Sequence, residues 1–190
     1  VIFIGGYDSV ITNSTYGNPA GAYPAKQWHD FIGFTPDETN SGDLGWLSIN
    51  HEMISNDPNL GDGGGMTTFK IKRDPDTDSI IVVEQTLNDG RNGYFFNVDF
   101  ANTVGETGMN CGGITSDADG RIWTAEEWFR TSNTSIHYDW YGGPAVSDTS
   151  DFTISNSGIP MADGQTVKKF ENFNYMVEID PREAVAIRKQ

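Results

Sequence analysis

Apolar positions in this chain recur in short β-branched and aromatic runs, and the 3.6-residue period of an amphipathic helix is almost absent. Clusters of Gly, Asp, Asn and Pro cut the runs apart, which is the punctuation of an all-β chain. Three hairpins are predicted. The first joins Met66–Lys72 to Ile80–Gln85 through Arg73-Asp74-Pro75-Asp76-Thr77-Asp78-Ser79, a segment rich in side chains that bond their own backbone. The second joins Gly113–Ser116 to Arg121–Glu126 through Asp117-Ala118-Asp119-Gly120, where glycine can take the positive φ of a tight turn. The third joins Tyr175–Ile179 to Ala184–Arg188 through Asp180-Pro181-Arg182-Glu183, and Leu44–Asn50 adds a further strand. The Ser/Thr/Asn/Gly-rich stretch 131–174 has a strand pattern only at Phe152–Ile154 and reads as a polar insertion.

Turns of the Ile-Asp-Pro-Arg and Ser-Asp-Ala-Asp-Gly kind join outer strands in propeller blades, which take roughly 40–50 residues each. The 190 residues therefore hold about four blades at most, and the recognisable strands fill fewer. The last hairpin ends at Arg188 with nothing left to close a ring, and open propeller edges would be sticky. The expectation is an all-β, partial β-propeller of several four-stranded antiparallel blades whose ring this chain alone does not close. Residues 1–190 would form the N-terminal part of a propeller domain, pairing with its remainder or with other chains. With no initiator Met, the chain is expected to be a processed form or a fragment.

Charge narrows the partners. Twelve basic against 27 acidic residues give a net charge of −15, and 18 of the acids are Asp. Phosphate backbones select clustered Lys and Arg, so nucleic acid is excluded as a partner. No window approaches 18 consecutive apolar residues, so no membrane span is expected. Abundant carboxylate instead suits multivalent cations.

Candidate chemistry is sparse. Asp74-x-Asp76-x-Asp78 has the alternation of a calcium loop, but Ser79 and Gln85 stand where an EF-hand needs Gly and Glu, so it reads as a solvated turn. Asp57-Pro58-Asn59-Leu60-Gly61-Asp62 is a second oxygen-rich loop that could hold calcium. Asn50-His51-Glu52 ends a predicted strand, and Glu52 suits a hard cation better than His51 does. Cys111, the single cysteine, excludes an internal disulfide; it is either a small buried hydrophobe or a thiolate metal ligand among flanking glycines. Glu126 and Glu127 lie across the second hairpin from it. Successive strand residues face opposite ways, so at most one of the two points at any one site. A thiolate and a carboxylate at one hairpin root would make an iron or zinc half-site. There is no Gly-x-Ser-x-Gly elbow, no Walker loop and no His-Glu-x-x-His motif.

Six segments in order resemble the PhoX-type alkaline phosphatases, a family of secreted β-propeller phosphoesterases. They are Gly6-Tyr7-Asp8-Ser9, His29-Asp30-Phe31-Ile32-Gly33-Phe34, Gly45-Trp46-Leu47-Ser48-Ile49-Asn50-His51-Glu52, Asn110-Cys111-Gly112-Gly113, Thr124-Ala125-Glu126-Glu127 and Tyr175-Met176-Val177-Glu178-Ile179-Asp180-Pro181. The resemblance implies a secreted or periplasmic phosphomonoesterase with ferric iron and calcium as cofactors and a phosphate ester as substrate. It implies Cys111 as an iron ligand, Glu126 or Glu127 as a further carboxylate, and Glu52 and Glu178 as iron or calcium ligands. Ala125 departs from the family's second cysteine. The family's phosphate-binding cations lie later than this chain reaches, so the active site would be incomplete without the remaining blades. A non-catalytic, calcium-binding extracellular module with a structural or binding role is the alternative; a small metal-free β-sandwich is a third reading.

Overall fold

The computed structural model describes residues 1–13, 20–39, 41–53, 57, 59–61, 63–105, 107–127, 151–153, 166–168 and 175–190. Most of the predicted polar insertion 131–174 lies outside the described residues. The described residues form strands and turns and no helix. In chain order the strands are β1 (Ser9–Thr12), β2 (Gly21–Pro24), β3 (His29–Pro36), β4 (Asp43–His51), β5 (Gly65–Arg73), β6 (Ile80–Val83), β7 (Gln85–Thr86) and β8 (Asn92–Gly93). They continue with β9 (Phe96–Asn97), β10 (Asn110–Thr115), β11 (Ile122–Glu126), β12 (Asp151–Thr153), β13 (Thr166–Lys168), β14 (Met176–Asp180) and β15 (Val185–Lys189).

The fold is all-β. A seven-stranded mixed sheet runs β2-β1-β9-β5-β4-β3, with β6 also on β5, and a four-stranded antiparallel sheet runs β10-β11-β14-β15. Two short pairs, β7–β8 and β12–β13, complete the set, and neither large sheet closes into a barrel. The wide sheet contains a parallel contact, Ile11 beside Phe96.

All three predicted hairpins form, with their ends shifted; β10 begins at Asn110 where Gly113 was expected. The strand expected over Ile80–Gln85 stops at Val83, and Gln85–Thr86 pairs with β8 instead. The cause lies in β5, whose free edge is shared. Lys70 to Arg73 pair with β6, while Thr67 and Thr68 pair with β9. In the second hairpin Gly120 takes φ 69°, the conformation its turn requires. In the third, the left-handed residue is Ala184, at φ 50°.

The segment 98–104 joins the two sheets. Val98 N–H donates to the Met66 carbonyl of β5, Asp99 N–H donates to the Ala184 carbonyl, and the Asp99 carbonyl accepts from Ala186 N–H. Its Val98, Phe100 and Val104 pack with Met66, Ile122, Val177, Ile179 and Ala186. Each large apolar side chain buried there contributes roughly 1.5–3 kcal/mol. A second seam runs where edge strand β3 meets edge strand β10. At this seam Gly33 and Gly113 leave room for neighbours. A Cβ on Gly33 would lie 2.5 Å from Ile122 Cδ1, and one on Gly113 would lie 2.7 Å from the Phe31 ring. Buried Thr35 closes the far end, its hydroxyl donating to the Gly120 carbonyl at 2.5 Å.

Candidate metal centre

The near end of that seam gathers the chemistry. A ladder with one extra residue on one strand bulges, and a bulge re-aims the side chains it carries. Two such bulges meet here. On β3 the register shifts between His29 and Ile32, displacing Asp30 and Phe31. On β10 it shifts between Asn110 and Gly113, displacing Cys111 and Gly112. Cys111 Sγ donates to Asp30 Oδ2 at 2.7 Å across the seam. Ligand atoms of Asp30, Glu52 and Cys111 all lie within 4.8 Å of one another. Glu127 lies outside this group of three, close enough to help raise the thiol pKa.

The two hairpins build their halves of this cluster the same way. Trp28 and Met109, both non-glycine residues at positive φ (59° and 43°), precede the respective bulges. Bulky residues rarely adopt this conformation, and such outliers concentrate at functional sites. The Trp28 carbonyl accepts from Glu52 N–H at 2.9 Å, and the Met109 carbonyl accepts from Glu127 N–H at 3.0 Å. His29 stands opposite His51, as Asn110 stands opposite Glu126. By position, then, Asp30 corresponds to Cys111, and Glu52 to Glu127. Each hairpin gives one bulge residue and one glutamate just past its returning strand.

Electrostatics make the thiol proton hard to remove. Asp30 foremost, then Glu52, burial and Glu127 push the Cys111 pKa far above its ordinary value. Clustered carboxylates oppose any further negative charge beside them. A bound cation reverses that logic, because a coordinating thiol is deprotonated outright. The donor set fits such a cation: carboxylate oxygens suit hard ions, while a thiolate selects iron or zinc over calcium. Cys111 is half-buried and Asp30 exposed, so the cluster opens to solvent. Beneath it His51 is buried, its Nε2 2.7 Å from the Thr67 hydroxyl. Burial, then the neighbouring His29 and Lys26, lowers its pKa to about 3, so its ring is neutral.

Of the predicted ligands, Cys111 and Glu52 are brought together, Glu127 stands near the thiol, and Asp30 joins them unforeseen. No pattern in the sequence marks Asp30, because the β3 bulge and not strand alternation aims its side chain. Two predicted ligands are engaged elsewhere. Buried Glu126 pairs with Lys189 at 2.7 Å and accepts from the Thr107 hydroxyl and Tyr175 N–H. Buried Glu178 is held between the guanidinium groups of Arg121 and Arg188. Both are carboxylates satisfied by protein cations inside the second sheet, away from the thiol.

In both oxygen-rich loops the first aspartate caps backbone amides of its own turn. Asp74 Oδ1 accepts the N–H groups of Asp76 and Thr77. Asp57 Oδ1 accepts those of Asn59 and Leu60, and buried Lys26 places its ammonium on the Gly61 and Gly63 carbonyls, 2.5 Å from each. Asp62 lies outside the described residues. Among the described residues no helix is long and apolar enough to cross a membrane.

No family model, no curated protein and no solved structure matches the chain.

Proposed function

We propose that this chain supplies the N-terminal part of a PhoX-like metallo-phosphatase, acting on phosphate monoesters once the remaining blades are in place. The observation that carries this reading is the convergence of the Cys111 thiol with the Asp30 and Glu52 carboxylates at one seam, with Glu127 beside them. The equivalence of the two hairpins supports a propeller, in which successive blades repeat one local design. On this reading the four side chains hold iron, and Glu126 and Glu178 are structural. A bound ferric ion supplies a Lewis acid that polarises a phosphoryl oxygen and offsets charge building up in transfer. Asp30, Glu52 and Glu127 contribute the negative charge that retains a trivalent ion, and the Cys111 proton leaves to solvent as the ion enters. The partners are a phosphate ester and the rest of the propeller, and the location is secreted or periplasmic.

The thiol disfavours the alternative of a calcium-only module, because calcium takes oxygen ligands. The test is iron loading of the protein joined to its remaining blades, followed by metal analysis, visible absorption and phosphomonoesterase assay. The reading expects bound iron, a thiolate-to-iron absorption band and hydrolysis that fails in Cys111→Ala. Calcium alone in the loaded protein, or full hydrolysis by Cys111→Ala, contradicts it.

A further inference from the structure

A bulge frees backbone groups from the ladder, and buried backbone groups need partners. At the β10 bulge the carbonyls of Cys111 and Gly112 have one. The amide of Asn50, on β4 of the other sheet, donates Nδ2 to the Cys111 carbonyl at 2.7 Å and to the Gly112 carbonyl at 3.0 Å. Asn50 is itself fully buried, and its orientation is fixed from behind. The Thr124 hydroxyl of β11 donates to Asn50 Oδ1 at 2.9 Å, and Thr124 accepts in turn from Asn110 Nδ2 at 3.2 Å. Asn110 Oδ1 accepts from Gly65 N–H at 2.7 Å, so the chain of bonds returns to the first sheet. No side chain fits between the layers at this point. A Cβ on Gly64 would meet the His51 carbonyl at 2.3 Å and the Asn110 nitrogen at 2.6 Å.

Asn50 also has a special place in its own strand. It lies between Ile49 and His51, which pair with Ile32 and His29, so it stands opposite the β3 bulge that carries Asp30. One residue beyond its neighbour His51 comes Glu52. A single buried carboxamide thus spans the two halves of the cluster, with the Asp30 and Glu52 half on its own sheet and the Cys111 half across the seam.

We propose that Asn50 is the positioning residue of this centre, holding the β10 bulge so that the Cys111 sulfur faces the carboxylates of the first sheet. Its role toward a metal rests on the functional reading above, whereas its role in placing the thiol does not. Fully satisfied buried polar networks rigidify and specify one arrangement, which is what a ligand set drawn from two sheets requires.

The test compares the 190-residue chain with Asn50→Ala, with Thr124→Val, which removes the hydroxyl behind the amide, and with Ser48→Ala as control. Ser48 is equally buried on β4 and loses only its 3.3 Å bond to the Thr68 hydroxyl. Two readouts are taken well below each melting temperature: the alkylation rate of Cys111 by iodoacetamide, and the near-ultraviolet thiolate-to-cobalt band on addition of cobalt(II). The expected result is a change of about tenfold or more in alkylation rate for Asn50→Ala. Its cobalt band is expected to be lost or displaced, Thr124→Val to change in the same direction, and Ser48→Ala to match the parent. If Asn50→Ala fails to fold, Thr124→Val carries both readouts alone. Folded variants with the parent's alkylation rate and cobalt band overturn the proposal and leave the metal reading intact. A parent without a cobalt band, whose alkylation rate still shifts in Asn50→Ala, supports the positioning role and removes the metal.

Discussion

Glu126 and Glu127 are consecutive residues with opposite assignments: Glu126 turns inward to Lys189, and exposed Glu127 stands on the side of the Cys111 thiol, whose pKa it helps raise. Strand alternation separates them, and the separation predicts that their glutamine variants fail differently. Glu126→Gln takes the carboxylate from a buried ammonium, which costs roughly 3–5 kcal/mol. A chemical denaturation midpoint measures that loss. Glu127→Gln leaves the midpoint almost unchanged and instead weakens metal uptake, roughly 10-fold or more by titration. Equal midpoints for the two variants would contradict the assignment.

Cys111→Ser keeps the size of the side chain and removes the soft donor. The half-buried site gives the sulfur little packing weight, so the melting temperature changes only slightly. Selectivity changes more: thiolate favours iron and zinc, while hydroxyl and carboxylate oxygens favour calcium, magnesium or manganese. Competition titrations of zinc against manganese should shift toward manganese in the variant.

Acid stability is set elsewhere. Burial alone would raise the Asp37 pKa, but the Lys70 ammonium at 2.8 Å, the Ser41 and Thr39 hydroxyls and Thr39 N–H outweigh it. They hold this carboxyl well below its unfolded value of about 3.9. A depressed folded-state pKa gives stability that is fully present above the unfolded pKa and lost as pH falls through the folded one. Asp37→Asn should therefore cost about 1–2 kcal/mol near neutral pH, with the difference from the parent shrinking progressively below about pH 4. Denaturation midpoints recorded from pH 7 down to pH 2 check the sign.

Gly63 packs directly on backbone. A Cβ there would lie 1.6 Å from the Thr107 carbonyl oxygen and 2.7 Å from its carbon. Gly63→Ala must push away the segment that leads into Met109 and Cys111, at roughly 1–3 kcal/mol of overpacking. Calorimetry should show a fall of about 2–4 °C for each kcal/mol lost.

Local pattern was enough for the hairpins, because the β-branched runs and the Asp-rich turns lie close together in sequence. It was not enough for the wide sheet. β9 has only Phe96–Asn97, and it joins β1 and β5 through pairings 85 and about 29 residues away in the chain. The cluster was half legible. Cys111 and Glu52 carry their chemistry in their side-chain types, and alternation allowed only one of Glu126 and Glu127 to serve. Asp30 was hidden because a lone aspartate resembles the other 17, and only the bulge on β3 shows where it points. Glu126 and Glu178 looked equally suitable as ligands until tertiary contacts placed Lys189, Arg121 and Arg188 beside them.

The most direct test is X-ray absorption at the metal edge of the protein loaded with zinc, a redox-silent stand-in for iron. One sulfur at about 2.3 Å together with oxygen neighbours is the predicted shell, and the sulfur should vanish in Cys111→Ser. A shell of oxygen alone in the parent, or one unchanged by Cys111→Ser, would contradict the account.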